Sequence, residues 1–231
     1  MLRHLSAIAA ATIVLLLSAT AQAQVETVVV TAERAAEDAS DIFIIKRADH
    51  VIISVTVSCD TRDADQRKRE MKETLHNMLR AAAATATLSL GVGDKTVGKL
   101  TEADFDDIMG ADTRPDTSRA TIIIKTTVSP TDTINAAVAR LNDFVKGITK
   151  VGRTEIYRGG DWQLTLIAPE QYRDAILAKI VDDAKRAAAL FGAGYGVSMD
   201  GLEHAVSWYQ KGPLDLALYI PYSMKVAPLA K

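Results

Sequence analysis

Val51-Ile52-Ile53-Ser54-Val55-Thr56-Val57-Ser58-Cys59 places Val51, Ile53, Val55, Val57 and Cys59 on one side of an extended chain and Ser54, Thr56 and Ser58 on the other. A period of two sends alternate side chains to opposite faces, so the stretch reads as a strand with one buried and one partly wet face. The period then changes. Asp63 offers an N-cap with Gln66 three residues on, and Met71, Leu75, Met78, Leu79 and Ala82 form a helical stripe. The same order returns twice. Ile122, Ile124, Thr126 and Val128 share a strand face, and after Pro130 come Ile134, Val138, Leu141, Val145 and Ile148 at spacings of three and four. Trp162, Leu164 and Leu166 precede Pro169 and a helix whose apolar face runs Tyr172, Ile176, Ile180, Ala184, Ala187 and Phe191, ended by Gly192 and Gly194.

Weaker β signals fill the intervals. Residues 87–92 and 96–101 read as a hairpin around Gly93-Asp94, and residues 205–210 and 214–226 as a closing pair around Lys211-Gly212-Pro213. In the last strand Leu216, Leu218, Ile220, Tyr222, Met224 and Val226 share a face. Pro221 donates no ladder hydrogen bond, which requires an edge or a bulge there. Half-wet strands joined by hairpins imply an α+β fold, antiparallel sheets with helices packed on one face, rather than a doubly wound parallel sheet. The repeated strand-helix units predict two lobes, residues 42–114 and 115–231, dividing where Asp112-Thr113-Arg114-Pro115-Asp116-Thr117-Ser118 is all turn chemistry.

Residues 1–23 carry Arg3, an apolar run and Ala21-Gln22-Ala23, the three parts of a secretory signal, so cleavage after Ala23 is expected. The apolar run is too short to span a bilayer, which takes about 20 residues, so no membrane insertion is expected after cleavage. Removing 23 of 231 residues leaves 208, enough for a sizeable core. Removing Arg3 takes the formal charge from −2 to −3. That balance, with no basic run longer than Arg67-Lys68-Arg69, argues against nucleic acid as a partner. Cys59 is the only cysteine of the mature chain, so it forms no intrachain disulfide, and its place on the apolar face makes it a buried thiol.

Chemistry-bearing motifs are sparse. Gly192-Ala193-Gly194-Tyr195-Gly196 follows a helix and is a helix stop rather than a dinucleotide loop. His50, His76 and His204 form no metal motif, and no serine elbow occurs. No catalytic residue, metal or cofactor is expected. An acid-base site would have to gather Asp161, Glu203 and His204 from distant positions. Of the C-terminal aromatics, Tyr219 points opposite to Tyr222 by alternation and is the candidate for an exposed partner contact.

The early strand with its Glu-containing helix at residues 67–80, the strand-helix unit at residues 120–148 and the alanine-laden helix at residues 172–191 resemble the SIMPL family of exported bacterial proteins. The resemblance covers residues 42–228, and residues 42–59 lack the glycine and Pro-Asp turn usual in the family. It implies a two-lobed α+β protein of the cell envelope that assembles into oligomers, a Gram-negative periplasmic location, and no catalytic residues. Val25, Glu26, Thr27, Val28, Val29, Val30 and Thr31, followed by a polar, alanine-rich tether that runs to residue 41, resemble the TonB box of outer-membrane receptors. High β propensity makes this stretch a candidate for strand addition to a partner sheet such as the TonB C-terminal domain, or for pairing within its own fold. Three functions are thereby set against one another. The first is a non-enzymatic SIMPL-like protein acting by self-assembly or envelope binding; the second is a TonB-linked accessory; the third is a hydrolase or lyase.

Overall fold

A computed structural model describes residues 26–28, 41–94 and 96–229; the expected signal peptide lies outside them. Among the described residues the chain forms β1 (Glu26–Val28), β2 (Ile44–Arg47), β3 (His50–Cys59), α1 (Ala64–Ala83), β4 (Leu88–Gly93), β5 (Thr96–Lys99), α2 (Phe105–Ile108), β6 (Gly110–Ala111), β7 (Ser118–Thr127) and α3 (Ile134–Gly147). It continues with β8 (Thr154–Arg158), β9 (Gln163–Ile167), α4 (Arg173–Phe191), β10 (Tyr195–Asp200), β11 (Ser207–Gln210), β12 (Asp215–Tyr219) and β13 (Ser223–Pro228). All strand pairings are antiparallel, and the helices pack on the sheets: the fold is α+β.

β3 organises the largest sheet. One edge pairs with β7 over ten residues, from His50 opposite Thr127 to Cys59 opposite Ser118. The other edge pairs with β9 through residues 50–52 and with β8 through residues 55–59. Val51, Ile53, Val55 and Val57 are buried against Leu75 and Met78 of α1 and Ala137 and Leu141 of α3. Each such aliphatic side chain contributes roughly 1.5–3 kcal/mol on burial. The opposite face carries a separate, smaller apolar cluster of Ile52, Val97 and Ile123.

The helix starts follow their caps. The Asp63 carboxylate accepts from the Gln66 amide at 2.7 Å, and the Thr133 hydroxyl from the Ala136 amide at 3.2 Å. Before α3, Arg140 clamps the loop: its Nη1 and Nη2 donate to the two Asp132 oxygens at 2.9 and 2.7 Å, and its Nε to the Thr126 hydroxyl. The Arg140 guanidinium and the Ser129 amide hold the Asp132 carboxyl well below the usual carboxylate range.

Two features differ from the sequence reading. The hairpin of β6 and β7 spans residues 112–117, so the boundary expected there falls inside one sheet, and strands from both sides of it pair. The core is likewise shared, joining Val55 and Leu75 to Leu141, Ile176 and Leu216. The single strand expected at residues 214–226 is two. β12 lies between β11 and β2 in a three-stranded sheet, while β13 pairs with β10 in a separate two-stranded one. Pro221 interrupts them: with no N–H to give, it lets the chain leave one ladder and enter another. Among the described residues no helix is long and apolar enough to cross a membrane.

Candidate functional site

α4 ends at Gly192, whose φ of 98° favours glycine, and the chain turns directly into β10. The Tyr195 amide donates to the Gly192 carbonyl at 3.1 Å, and the Leu229 amide, just past β13, to the Gly194 carbonyl at 2.8 Å. These bonds bring the end of α4, the start of β10 and the end of β13 together, and four large apolar side chains on these segments are exposed: Leu190 (87% exposed), Phe191 (59%), Tyr195 (39%) and Leu229 (59%). The Phe191 and Tyr195 rings lie 5.6 Å apart, and the Leu229 side chain lies over Gly196. β10 and β13 pair along six residues, yet neither strand contains a fully buried residue. Among the described residues β10 and β13 pair with no further strand, and an isolated two-stranded sheet is marginal in water. This end therefore combines an apolar patch with two strand edges that no further described strand pairs.

The residues chosen from sequence for partner contact lie elsewhere. Glu26, Thr27 and Val28 form β1, which pairs antiparallel with β5 on one side and β9 on the other. The backbone groups that strand addition to a partner would use are taken up within the chain's own sheet. Val25, Val29, Val30 and Thr31 lie outside the described residues. Tyr219 is corrected from exposed to buried, at 4%. β12 is a middle strand covered on both faces, with Leu216 and Leu218 on one and Ala217 and Tyr219 on the other, so alternation there separates two buried faces.

Glu203 and His204 do come together, in an open cavity of about 740 Å³ that Tyr219 and Tyr222 also line. Its rim loop is pinned to the start of α4. Arg173 donates to the Leu202 carbonyl at 3.0 Å and the His204 carbonyl at 2.5 Å, while Glu170 accepts from the Val206 amide at 2.7 Å. Burial pushes the Glu170 carboxyl up, but the Val206 amide and the Arg173 guanidinium outweigh it and hold the group below its ordinary value. His204 Nδ1 sits 2.9 Å from the Pro221 carbonyl, which only accepts, so Nδ1 carries a proton. Asp161 is not among the lining residues.

Sequence reasoning missed a buried acidic hub. Glu70, on the inner face of α1, accepts from the Thr61 hydroxyl (2.6 Å), the Cys59 thiol (3.3 Å), the Gln66 amide (2.8 Å) and the Arg153 backbone N–H (3.1 Å). The Thr61 hydroxyl and the Arg153 amide hold its carboxyl at about 2, against the opposing effect of burial. Asp60 takes the Arg153 guanidinium with both oxygens, at 2.6 and 2.9 Å. Every oxygen of Glu70 is engaged, so the hub cross-links β3, α1 and the loop before β8 rather than receiving a ligand. The available signal was spacing: Glu70, Thr74 and Met78 stand four apart on the buried face. A second groove, of about 450 Å³, lies between the start of α1 and the β6–β7 hairpin, where Lys68 is paired to Asp106 and Arg67 to Ser118. Among the described residues no group of three His, Cys, Asp or Glu side chains is placed to hold a metal.

No family model matches the chain, and neither does any curated protein or solved structure.

Proposed function

We propose that this chain is a non-enzymatic, SIMPL-like protein of the periplasm that works by association, first with further copies of itself and through them with the cell envelope. The observation that carries the proposal is the end built from α4, β10 and β13: four exposed apolar side chains beside two strands that contain no buried residue. An apolar patch bordered by strand edges that no further described strand pairs supplies both kinds of contact that protein association uses, desolvated side chains and backbone pairing. A second copy offers the same patch and the same edges, which suits a two-fold contact in which each surface meets its equivalent. The export signal at residues 1–23 supports placement outside the cytoplasm. The occupied backbone of β1 favours self-association over strand addition to TonB, because the latter requires β1 to leave its sheet first.

Sedimentation velocity on the chain beginning at Gln24 tests the reading. Association that grows over the micromolar range is the expected result; a single monomeric species at every concentration contradicts it.

A further inference from the structure

β1 occupies a special place in the pairing order. β3 pairs with β7, β7 with β4, β4 with β5, β5 with β1, β1 with β9, and β9 with β3 again. The six strands form a closed circuit, and β1, at three residues, is its shortest member. Thr27 stands opposite Thr96 of β5 and Leu166 of β9; Glu26 stands opposite Val97 and Ile167. Take β1 away and β5 and β9 become two facing open edges, beside the buried cluster of Ile52, Val97 and Ile123.

The closing strand is held over a short length. It meets β5 at two register positions and β9 at three, whereas β3 meets β7 at ten. Residues 29–40 join Val28 to Asp41, and a chain of that length reaches at most about 45 Å. Backbone pairing at this slot does not distinguish the chain's own strand from the identical strand of another copy. Exchanging one for the other keeps every contact and changes only the entropy of the connection. Where association through the β10–β13 ends brings the second copy's slot within that reach, the effective concentration is of order millimolar, which removes most of that entropic difference.

We propose that β1 is an exchangeable strand, and that in the assembled protein the slot between β5 and β9 is filled by β1 of a second copy of this chain. The proposal rests on the association reading above and names how the assembly is locked.

The test uses the full mature chain carrying Thr27→Cys and Thr96→Cys, mixed in equal parts from isotopically light and heavy preparations and oxidised after equilibration at the concentration where sedimentation shows assembly. Peptide mapping reads whether the 27–96 disulfide joins like or unlike isotopes. Exchange predicts that roughly half of these disulfides join a light chain to a heavy one. Disulfides confined to like isotopes, in chains that run as monomers under denaturing, non-reducing conditions, overturn it. A second pair, Glu26→Cys with Ile167→Cys, reports on the opposite edge and guards against a misfolded first variant. Chains that sediment as an assembly but cross-link only within themselves overturn strand exchange and leave the association reading standing; chains that sediment as monomers remove that reading itself.

Discussion

Glu70 shows how one side chain ties the architecture together and why it escapes a reading by residue type. A glutamate on a charged helix is read as solvated surface, yet this one is buried and takes four hydrogen bonds from three segments. Its carboxyl, lowered from an ordinary 4.5 to about 2, is a depressed acid. Its stabilising effect is therefore complete above pH 4.5 and is lost as pH falls towards 2. Glu70→Gln should destabilise the fold at pH 7 by about 2 kcal/mol, because an amide N–H then faces the donors of Thr61 and Arg153. Urea titrations of both proteins check this: the gap should narrow steadily between pH 4.5 and 2, and a constant gap would count against the hub. Gly152 is bound to the same feature. Its φ is +59°, and a Cβ there would lie 2.1 Å from the Glu70 carboxyl carbon. Gly152→Ala should cost about 3 kcal/mol through strain and displacement of Glu70, read as a lowered urea midpoint.

At the scale of elements, what could be read from sequence depends on burial. The stripes of α1, α3 and α4 are legible because one face of each packs on a sheet and leaves a period of three and four: Met71, Leu75 and Met78, then Leu141, then Ile176 and Ile180. β8 left no such trace, since only Thr154 of its five residues is buried and the apolar Tyr157 is exposed. Alternation from Leu216 to Val226 is real, but it continues through Pro221 across two different sheets, and period alone does not say which ladder a strand joins. By period the apolar stripe of α4 runs on to Phe191, which the structure leaves more than half exposed. That residue ends the helical period without finding a core, which is the mark of the candidate surface. Phe191→Asp should weaken self-association at least about tenfold, since it removes one buried aromatic and adds a charge to the contact. Sedimentation equilibrium measures the shift, and an unchanged far-UV circular dichroism spectrum shows that α4 persists.

The whole molecule joins two contrasting regions. Around β3, strands from most of the chain share one sheet and one apolar core with α1, α3 and α4. At the far end of α4, the β10–β13 sheet carries no buried residue and borders an apolar patch. The fold class was open to reading because strand and helix periods follow one another three times. Sheet closure by β1 and the shared sheet across residues 112–117 were not, because long-range pairing leaves no local pattern. Neither was the candidate surface, which arises where segments distant in sequence end together.

Hydrogen exchange read by mass spectrometry tests the central claim most directly, because it watches the strand edges themselves. The mature chain is compared at low and high protein concentration, following peptides that cover β10 and β13 with peptides of β3 as an internal reference. Association through this end predicts that residues 195–200 and 223–228 exchange more slowly as concentration rises while β3 is unchanged. Exchange in β10 and β13 that is independent of concentration would contradict the account.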